Sequence, residues 1–215
     1  MIADLVESLR EQRVVAVVRR MSASVFPAVL DALIDGGIRT IEVTMDGETA
    51  AEQITSAKRR HGDRVSIGAG TVLTIDQLHQ AHAAGAEFFV CPHLDIRLME
   101  ASERLNAKLI PGVFTPTEIA QALRAGADMV KLFPAGTLGP AYIRNILGPF
   151  HELKIMATGG VSEKNMAEFF DAGVTAVGLG SNLFPQEDVD TNNWEAIRQR
   201  AKNICALAQT SESGG

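Results

Sequence analysis

Four times along this chain a helix-like stretch closes on a glycine, and a short apolar, β-branched run follows within a few residues. Asp35-Gly36-Gly37 precedes Thr40–Thr44, and Ala84-Gly85-Ala86 precedes Phe88–Cys91. Ala125-Gly126-Ala127 precedes Met129–Phe133, and Ala172-Gly173-Val174 precedes Ala176–Gly180. Glycine takes the left-handed conformation that closes a helix, and the residues after it start a strand. Three of these runs are continuous apolar stretches, broken at most by one charge, instead of alternating with polar residues, which is the mark of parallel strands buried on both faces.

Four further runs lack the glycine: Val14–Val18, Val65–Gly70, Lys108–Pro111 and Lys154–Thr158. Together they give eight strands separated by stretches with helical apolar spacing, such as Thr74–Ala84 and Thr117–Ala125. Thr115-Pro116-Thr117-Glu118 and Ser162-Glu163-Lys164 read as helix starts, a hydroxyl cap followed by proline or acid. Eight regular β/α units predict an α/β fold, a single (β/α)8 TIM barrel, although 215 residues is short beside the ~250 typical of one. A doubly wound Rossmann sheet is the rival, but Arg19-Arg20-Met21-Ser22 stands where a GxGxxG would follow the first strand. Met1–Gln12 is expected as an extra N-terminal helix capping the barrel's bottom, and Trp194–Ala208 as a closing helix. Residues 1–209 then form one domain, and 210–215 a disordered tail.

Composition narrows the functional classes. A net charge of -6, with basic residues paired (Arg19-Arg20, Arg59-Arg60) and not massed, argues against nucleic acid. No run approaches the ~20 apolar residues that span a bilayer, so no membrane role is expected. Met1–Arg10 carries Asp4 and Glu7 and does not read as a signal peptide. The two cysteines, Cys91 and Cys205, lie far apart without a metal-ligand spacing and are expected as buried thiols in a reducing, cytoplasmic setting.

In such a barrel the C-terminal ends of the strands build the active site. Lys131 interrupts an otherwise apolar strand, and alternation places it on one face with Met129 and Phe133. A lysine buried without a counterion is costly as an ammonium, which favours a nucleophilic amine. The same position also suits a lysine that reaches the rim or pairs with an acid. Glu42 lies within Thr40–Thr44, where an inward carboxylate needs a reason. Together they form either a structural ion pair or a base beside an imine-forming amine.

Thr158-Gly159-Gly160-Val161-Ser162 follows the seventh strand and Gly180-Ser181 ends the eighth. Phosphate groups bind there in these barrels, on backbone N–H groups that glycine lets approach closely; tight-turn glycines are the plainer alternative. Ile67-Gly68-Ala69-Gly70-Thr71-Val72 lacks the lysine and spacing of a nucleotide loop, and Thr71 reads instead as a hydroxyl facing the reacting centre. Arg19, ending the first strand, can clamp a carboxylate with paired N–H groups or lie on the surface. His79, His82 and His151 read as surface residues, His93 lacks partners for a metal triad, and Asp46 reads as a solvated loop acid.

The ordered set Ile41-Glu42-Val43-Thr44, Gly68-Ala69-Gly70-Thr71-Val72, Pro92-His93-Leu94-Asp95, Pro111-Gly112-Val113, Lys131-Leu132-Phe133-Pro134, Pro149-Phe150, Thr158-Gly159-Gly160-Val161 and Gly178-Leu179-Gly180-Ser181 resembles the 2-keto-3-deoxy-6-phosphogluconate/4-hydroxy-2-oxoglutarate aldolase family. The resemblance runs from about Val14 to Leu183. It implies a homotrimeric class I aldolase, a lyase of the Entner-Doudoroff type, with neither metal nor cofactor. It implies Lys131 as the Schiff-base nucleophile and Glu42 as general acid/base. Thr71, Pro92, Phe133 and Thr158 would surround the pyruvyl moiety, and Gly159, Gly160, Gly180 and Ser181 the phosphate of a 2-keto-3-deoxy-6-phospho sugar acid. Cleavage would yield pyruvate and glyceraldehyde 3-phosphate.

Asp46 departs from the pattern, since many members carry there an arginine that helps hold the pyruvate carboxylate. An acid facing that carboxylate would repel it, so Arg19 is expected to supply the clamp. Cys91 replaces a serine common before the proline. The galactonate-series aldolases also lack the later arginine and share a Gly-Pro like Gly139-Pro140, whereas Pro111–Glu118 resembles the bifunctional branch of the family, which favours the gluconate isomer. Beyond aldolases, another phosphate-binding barrel enzyme, or a metabolite-binding barrel, predicts a resting Lys131–Glu42 ion pair and no imine.

Overall fold

The computed structural model describes residues 5–210. Nine parallel strands run in chain order: β1 (Val14–Val18), β2 (Thr40–Thr44), β3 (Ser66–Gly70), β4 (Phe88–Val90), β5 (Lys108–Ile110), β6 (Gly112–Val113), β7 (Val130–Leu132), β8 (Ile155–Thr158) and β9 (Ala176–Leu179). Their lateral order is β5-β4-β3-β2-β1-β9-β8-β7-β6, so the two ends of the ladder are β5 and β6, adjacent in sequence. They are halves of one run divided at Pro111, which has no N–H to give a ladder. The run hands over from one neighbour to the other at that point: Cys91 N donates to Ile110 O, and Lys131 N donates to Pro111 O. Eight β/α units thus wrap into a nearly closed TIM-type barrel, and the expected fifth strand extends past Pro111 into β6.

The four glycines that close helices before strands are left-handed, with φ of 104° at Gly37, 92° at Gly85, 86° at Gly126 and 100° at Gly173. Each reverses the chain so that the next apolar run enters the sheet. The expected cap at Thr115 opens Pro116–Arg124, and Thr74, not singled out as a cap in the sequence, opens Ile75–Ala83 in the same way. The expected start at Ser162 is displaced. Asn165 Oδ1 accepts from Ser162 N at 2.8 Å, holding 162–165 as a turn, and the helix is Met166–Asp171.

Two apolar layers result. The larger packs helices on the outside of the strands, with Phe26, Leu33, Ile41, Ile67, Phe169 and Ile204 fully enclosed. The smaller fills the lower half of the barrel, where Val15, Phe88, Val90, Ile110, Met129, Met156 and Ala176 meet Leu5 and Leu9 of the helix Leu5–Gln12. That helix is the expected cap; Met1–Asp4 of the predicted segment lie outside the described residues. The closing helix Trp194–Thr210 runs two residues beyond expectation, so Thr210 is its last residue and not part of a tail. The remainder of the predicted tail, 211–215, lies outside the described residues. No described helix is long and apolar enough to cross a membrane.

Candidate active site

Above the apolar plug the barrel interior changes character, because the inward positions one turn of the pleat higher are Glu42, Gly70, Lys131, Thr158 and Gly178. Strand alternation makes this unavoidable: Met129 below and Lys131 above share one face of the sixth unit, as do Met156 and Thr158 of the seventh. Glycines hollow the interior for the larger side chains. A β-carbon on Gly68 would lie 2.4 Å from the Phe88 ring, and one on Gly178 would lie 2.4 Å from Thr158 Oγ1.

Lys131 Nζ lies 3.7 Å from Glu42 Oε1, with the two side chains 3% and 0% exposed. This is an ion contact but too long for a hydrogen bond. Both Glu42 carboxylate oxygens and Thr158 Oγ1 are buried without any hydrogen-bond partner among the described residues. Leaving a buried polar atom unpaired costs ~1–3 kcal/mol, and more for a charged group, so three of them at the upper end of one barrel mark a place built for something else to pair them. Phe133 closes one side, its ring centroid 5.4 Å from Lys131 Nζ. Cys91, also near this centre, has its thiol pushed up to about 12 by burial, against an opposing pull from Lys131.

A cavity of about 1120 Å³ opens over this centre, lined by Arg19, Phe133, Thr158, Gly159, Gly160, Gly180 and Ser181 among others. Lys131, Glu42, Thr71 and Pro92 are not part of its wall. Thr71 sits at the end of β3 with φ of 52°, a left-handed conformation that is strained for a β-branched residue. Arg19 Nη2 donates to its hydroxyl at 3.2 Å, tying the ends of β1 and β3 together. Pro92 lies against Gly112, whose added β-carbon would meet the Pro92 carbonyl carbon at 2.2 Å, and Gly112 is paired with Lys131. Gly159 and Gly160 both have positive φ, 83° and 79°, and turn the chain sharply off β8. Every residue expected around the reacting centre or the phosphate therefore lies at this one end of the barrel.

Asp46 corrects an expectation. It is not a solvated loop acid: its side chain is 13% exposed, with Oδ2 accepting from Arg20 Nε at 2.8 Å and Arg19 Nη1 at 3.4 Å. Burial pushes its carboxyl upward, but the adjacent Thr44 hydroxyl and the two guanidinium groups outweigh that and hold it below the ordinary carboxylate range. The sequence reading also missed Arg20, Ser22, Asn182, Gln186, Asp190 and Asn192, which line the cavity. Arg20 and Asn182 adjoin residues already singled out, and adjacency was the available signal. Gln186 and Asp190 ride on the short helix Gln186–Asp190, too brief to show a helical period. Among the described residues no three His, Cys, Asp or Glu side chains are grouped as metal ligands. His79, His82, His93 and His151 are all exposed.

Comparison with known proteins gives a consistent result. The family model described as "Aldolase: KDPG and KHG aldolase" matches residues 5–200. The 2-dehydro-3-deoxy-phosphogluconate aldolase of Treponema pallidum is 36% identical over 193 residues, 89% of this chain and 91% of that protein. Its namesake from Haemophilus influenzae is 33% identical over 203 residues, 94% of this chain and 95% of that protein. Among solved structures, KDPG aldolase from Legionella pneumophila, with pyruvate captured as a covalent carbinolamine intermediate, superposes with a TM-score of 0.87 at 31% identity. That superposition covers 93% of this chain and 97% of the other.

Proposed function

This chain belongs to the KDPG and KHG aldolase family, and from that premise we propose that it reversibly cleaves 2-keto-3-deoxy-6-phosphogluconate by an imine mechanism centred on Lys131. The observation that carries the mechanism is the enclosed pair: an amine 3.7 Å from a carboxylate whose two oxygens have no other partner. A resting structural ion pair would be expected to close to hydrogen-bond distance and to satisfy the second oxygen as well. The carbinolamine captured in the Legionella relative supports the same chemistry. Relatives named for the gluconate isomer cover most of this chain and support that isomer over the galactonate one.

In the proposed sequence Lys131 Nζ adds to the C2 carbonyl to give a carbinolamine, which loses water to form an iminium. Glu42 then takes the C4 hydroxyl proton, the C3–C4 bond breaks, and its electron pair passes into the iminium. The products of that step are an enamine on Lys131 and glyceraldehyde 3-phosphate. Glu42 returns its proton to C3 of the enamine, and water hydrolyses the resulting iminium to pyruvate and free amine. Thr158 Oγ1 is free to bond the pyruvyl group, with Thr71, Pro92 and Phe133 enclosing it and Arg19 holding its carboxylate. The phosphate is assigned to the backbone at Gly159, Gly160, Gly180 and Ser181, which line the same cavity. The proposal includes no metal or cofactor, and a cytoplasmic homotrimer as the working form.

The test is borohydride reduction in the presence of pyruvate, followed by peptide mass mapping. A pyruvyl adduct on Lys131, absent in Lys131→Met, is the expected outcome. A folded protein that gives no adduct in excess pyruvate would sink the imine reading and revive a phosphate-binding barrel of different chemistry.

A further inference from the structure

The family resemblance makes Asp46 a liability, an acid where an arginine would help hold a carboxylate. The geometry reverses its meaning. Arg19 is long and its side chain is 52% exposed, so left alone it would sample many rotamers over the cavity mouth. Two contacts stop it: Nη2 on Thr71 Oγ1 at 3.2 Å and Nη1 on Asp46 Oδ2 at 3.4 Å. The same oxygen, Asp46 Oδ2, also accepts from Arg20 Nε at 2.8 Å, which fixes the acid in place. Arg20 takes a left-handed turn, φ 46°, directly after Arg19, and a β-carbon added to Gly47 would sit 3.7 Å from its Cα. The 46–47 turn is thus packed against the arginine it binds.

We infer that Asp46 is a positioning residue, holding Arg19 aimed at the carboxylate of the bound 2-oxo acid. The inference rests on the proposed clamp role of Arg19 and goes beyond it by assigning what makes the clamp rigid. Without the Asp46 carboxylate, two neighbouring guanidinium groups would face each other and splay apart toward solvent. With it, two positive charges and one negative leave a single net positive charge at the mouth, matched to one carboxylate. Asp46 stays ionised at neutral pH, since its carboxyl lies below the ordinary range. The acid therefore does not repel the substrate; its charge is already consumed by the two arginines.

The experiment measures half-saturation by pyruvate in borohydride trapping at Lys131, and KM against kcat in cleavage. It uses Arg19→Ala, Asp46→Asn, Asp46→Glu and the Arg19→Ala/Asp46→Asn double variant. Asp46→Asn should raise both half-saturation and KM roughly 10-fold, the scale of a weakened charge-assisted hydrogen bond, with kcat within about 2-fold. Asp46→Glu should recover part of the loss. In the double variant the Asp46 substitution should add nothing to Arg19→Ala, because its effect runs through Arg19. An Asp46→Asn protein that binds pyruvate as well as the parent, or better, while Arg19→Ala binds it worse, overturns the positioning role and leaves the clamp standing. Equal additional losses in the double variant also overturn it, since they mark a general structural effect. If Arg19→Ala itself binds pyruvate normally, the clamp fails and the inference fails with it, whereas the imine reading is judged separately by whether the adduct forms.

Discussion

A β-carbon on Gly70 would lie 1.7 Å from Oε1 of Glu42, so the third strand is emptied to house the second strand's carboxylate. Glu42 has 0% of its side chain exposed, and the space it fills is one that alanine would take away. Gly70→Ala must displace the carboxylate from the place it holds beside Lys131. The variant is expected to fold with an overpacking penalty of ~1–3 kcal/mol in urea unfolding. Its kcat should fall by at least ~10-fold, since misplacing a reacting group by about 1 Å is enough to cost far more. A variant that lost stability but kept full kcat would show that the position of Glu42 is not critical to the chemistry.

Removing the charge of that carboxylate while keeping its shape separates imine formation from proton transfer. Glu42→Gln should lower kcat by ~10²–10⁴-fold, the range for a positioned general acid or base. The Lys131–pyruvate adduct should still form. Steady-state cleavage rates and adduct mass together decide the matter, and a loss smaller than tenfold would remove Glu42 from the proposed proton path.

The helix Pro116–Arg124 gives a prediction about acid. Thr115 Oγ1 accepts from Glu118 N at 3.3 Å, and Glu118 Oε2 accepts from Thr115 N at 2.7 Å and Phe114 N at 2.8 Å. Burial raises the Glu118 carboxyl, but these backbone bonds outweigh it and hold it below 4.5. A carboxylate depressed in the folded state contributes stability above its unfolded value, and that contribution disappears as pH falls through the folded value. Glu118→Gln should therefore be less stable than the parent at pH 7, with the gap narrowing below about pH 4.5. Thr115→Ala should cost ~1 kcal/mol at neutral pH. Urea midpoints across pH check both; a Glu118→Gln gap independent of pH would contradict the electrostatic account.

Cys91 should be inert. Its thiol, buried and pushed up to about 12, supplies almost no thiolate at pH 8. Iodoacetamide at that pH should leave Cys91 unmodified in the folded protein and label it after unfolding, as read by peptide mass. Rapid labelling in the folded state would mean that the barrel opens locally at β4.

Much of this protein is written locally. The eight strands are legible because each is a short apolar run, and four are announced by a glycine that only a helix end requires. Lys131 and Glu42 are legible for the opposite reason, as charges inside runs that otherwise exclude them, and strand alternation alone faces them inward. Thr115 and Glu118 form their cap within four residues, so their pairing needs no tertiary information. Where the local signal competes with another, it misleads: Ser162 has the look of a cap, but Asn165 takes the turn and moves the helix start.

What the chain does not spell out depends on distant ends meeting. Asp46 reads as a loose loop acid until β1 and β2 lie side by side and bring Arg19 and Arg20 to it, 27 and 26 residues away in sequence. The division of one strand at Pro111 acquires meaning only when the barrel comes round and each half finds a different neighbour. The 3.7 Å between Lys131 and Glu42 is likewise a tertiary fact. Each strand fixes that its charge points inward, but the distance between the two is set by barrel curvature, by the room Gly70 leaves, and by the apolar plug beneath them.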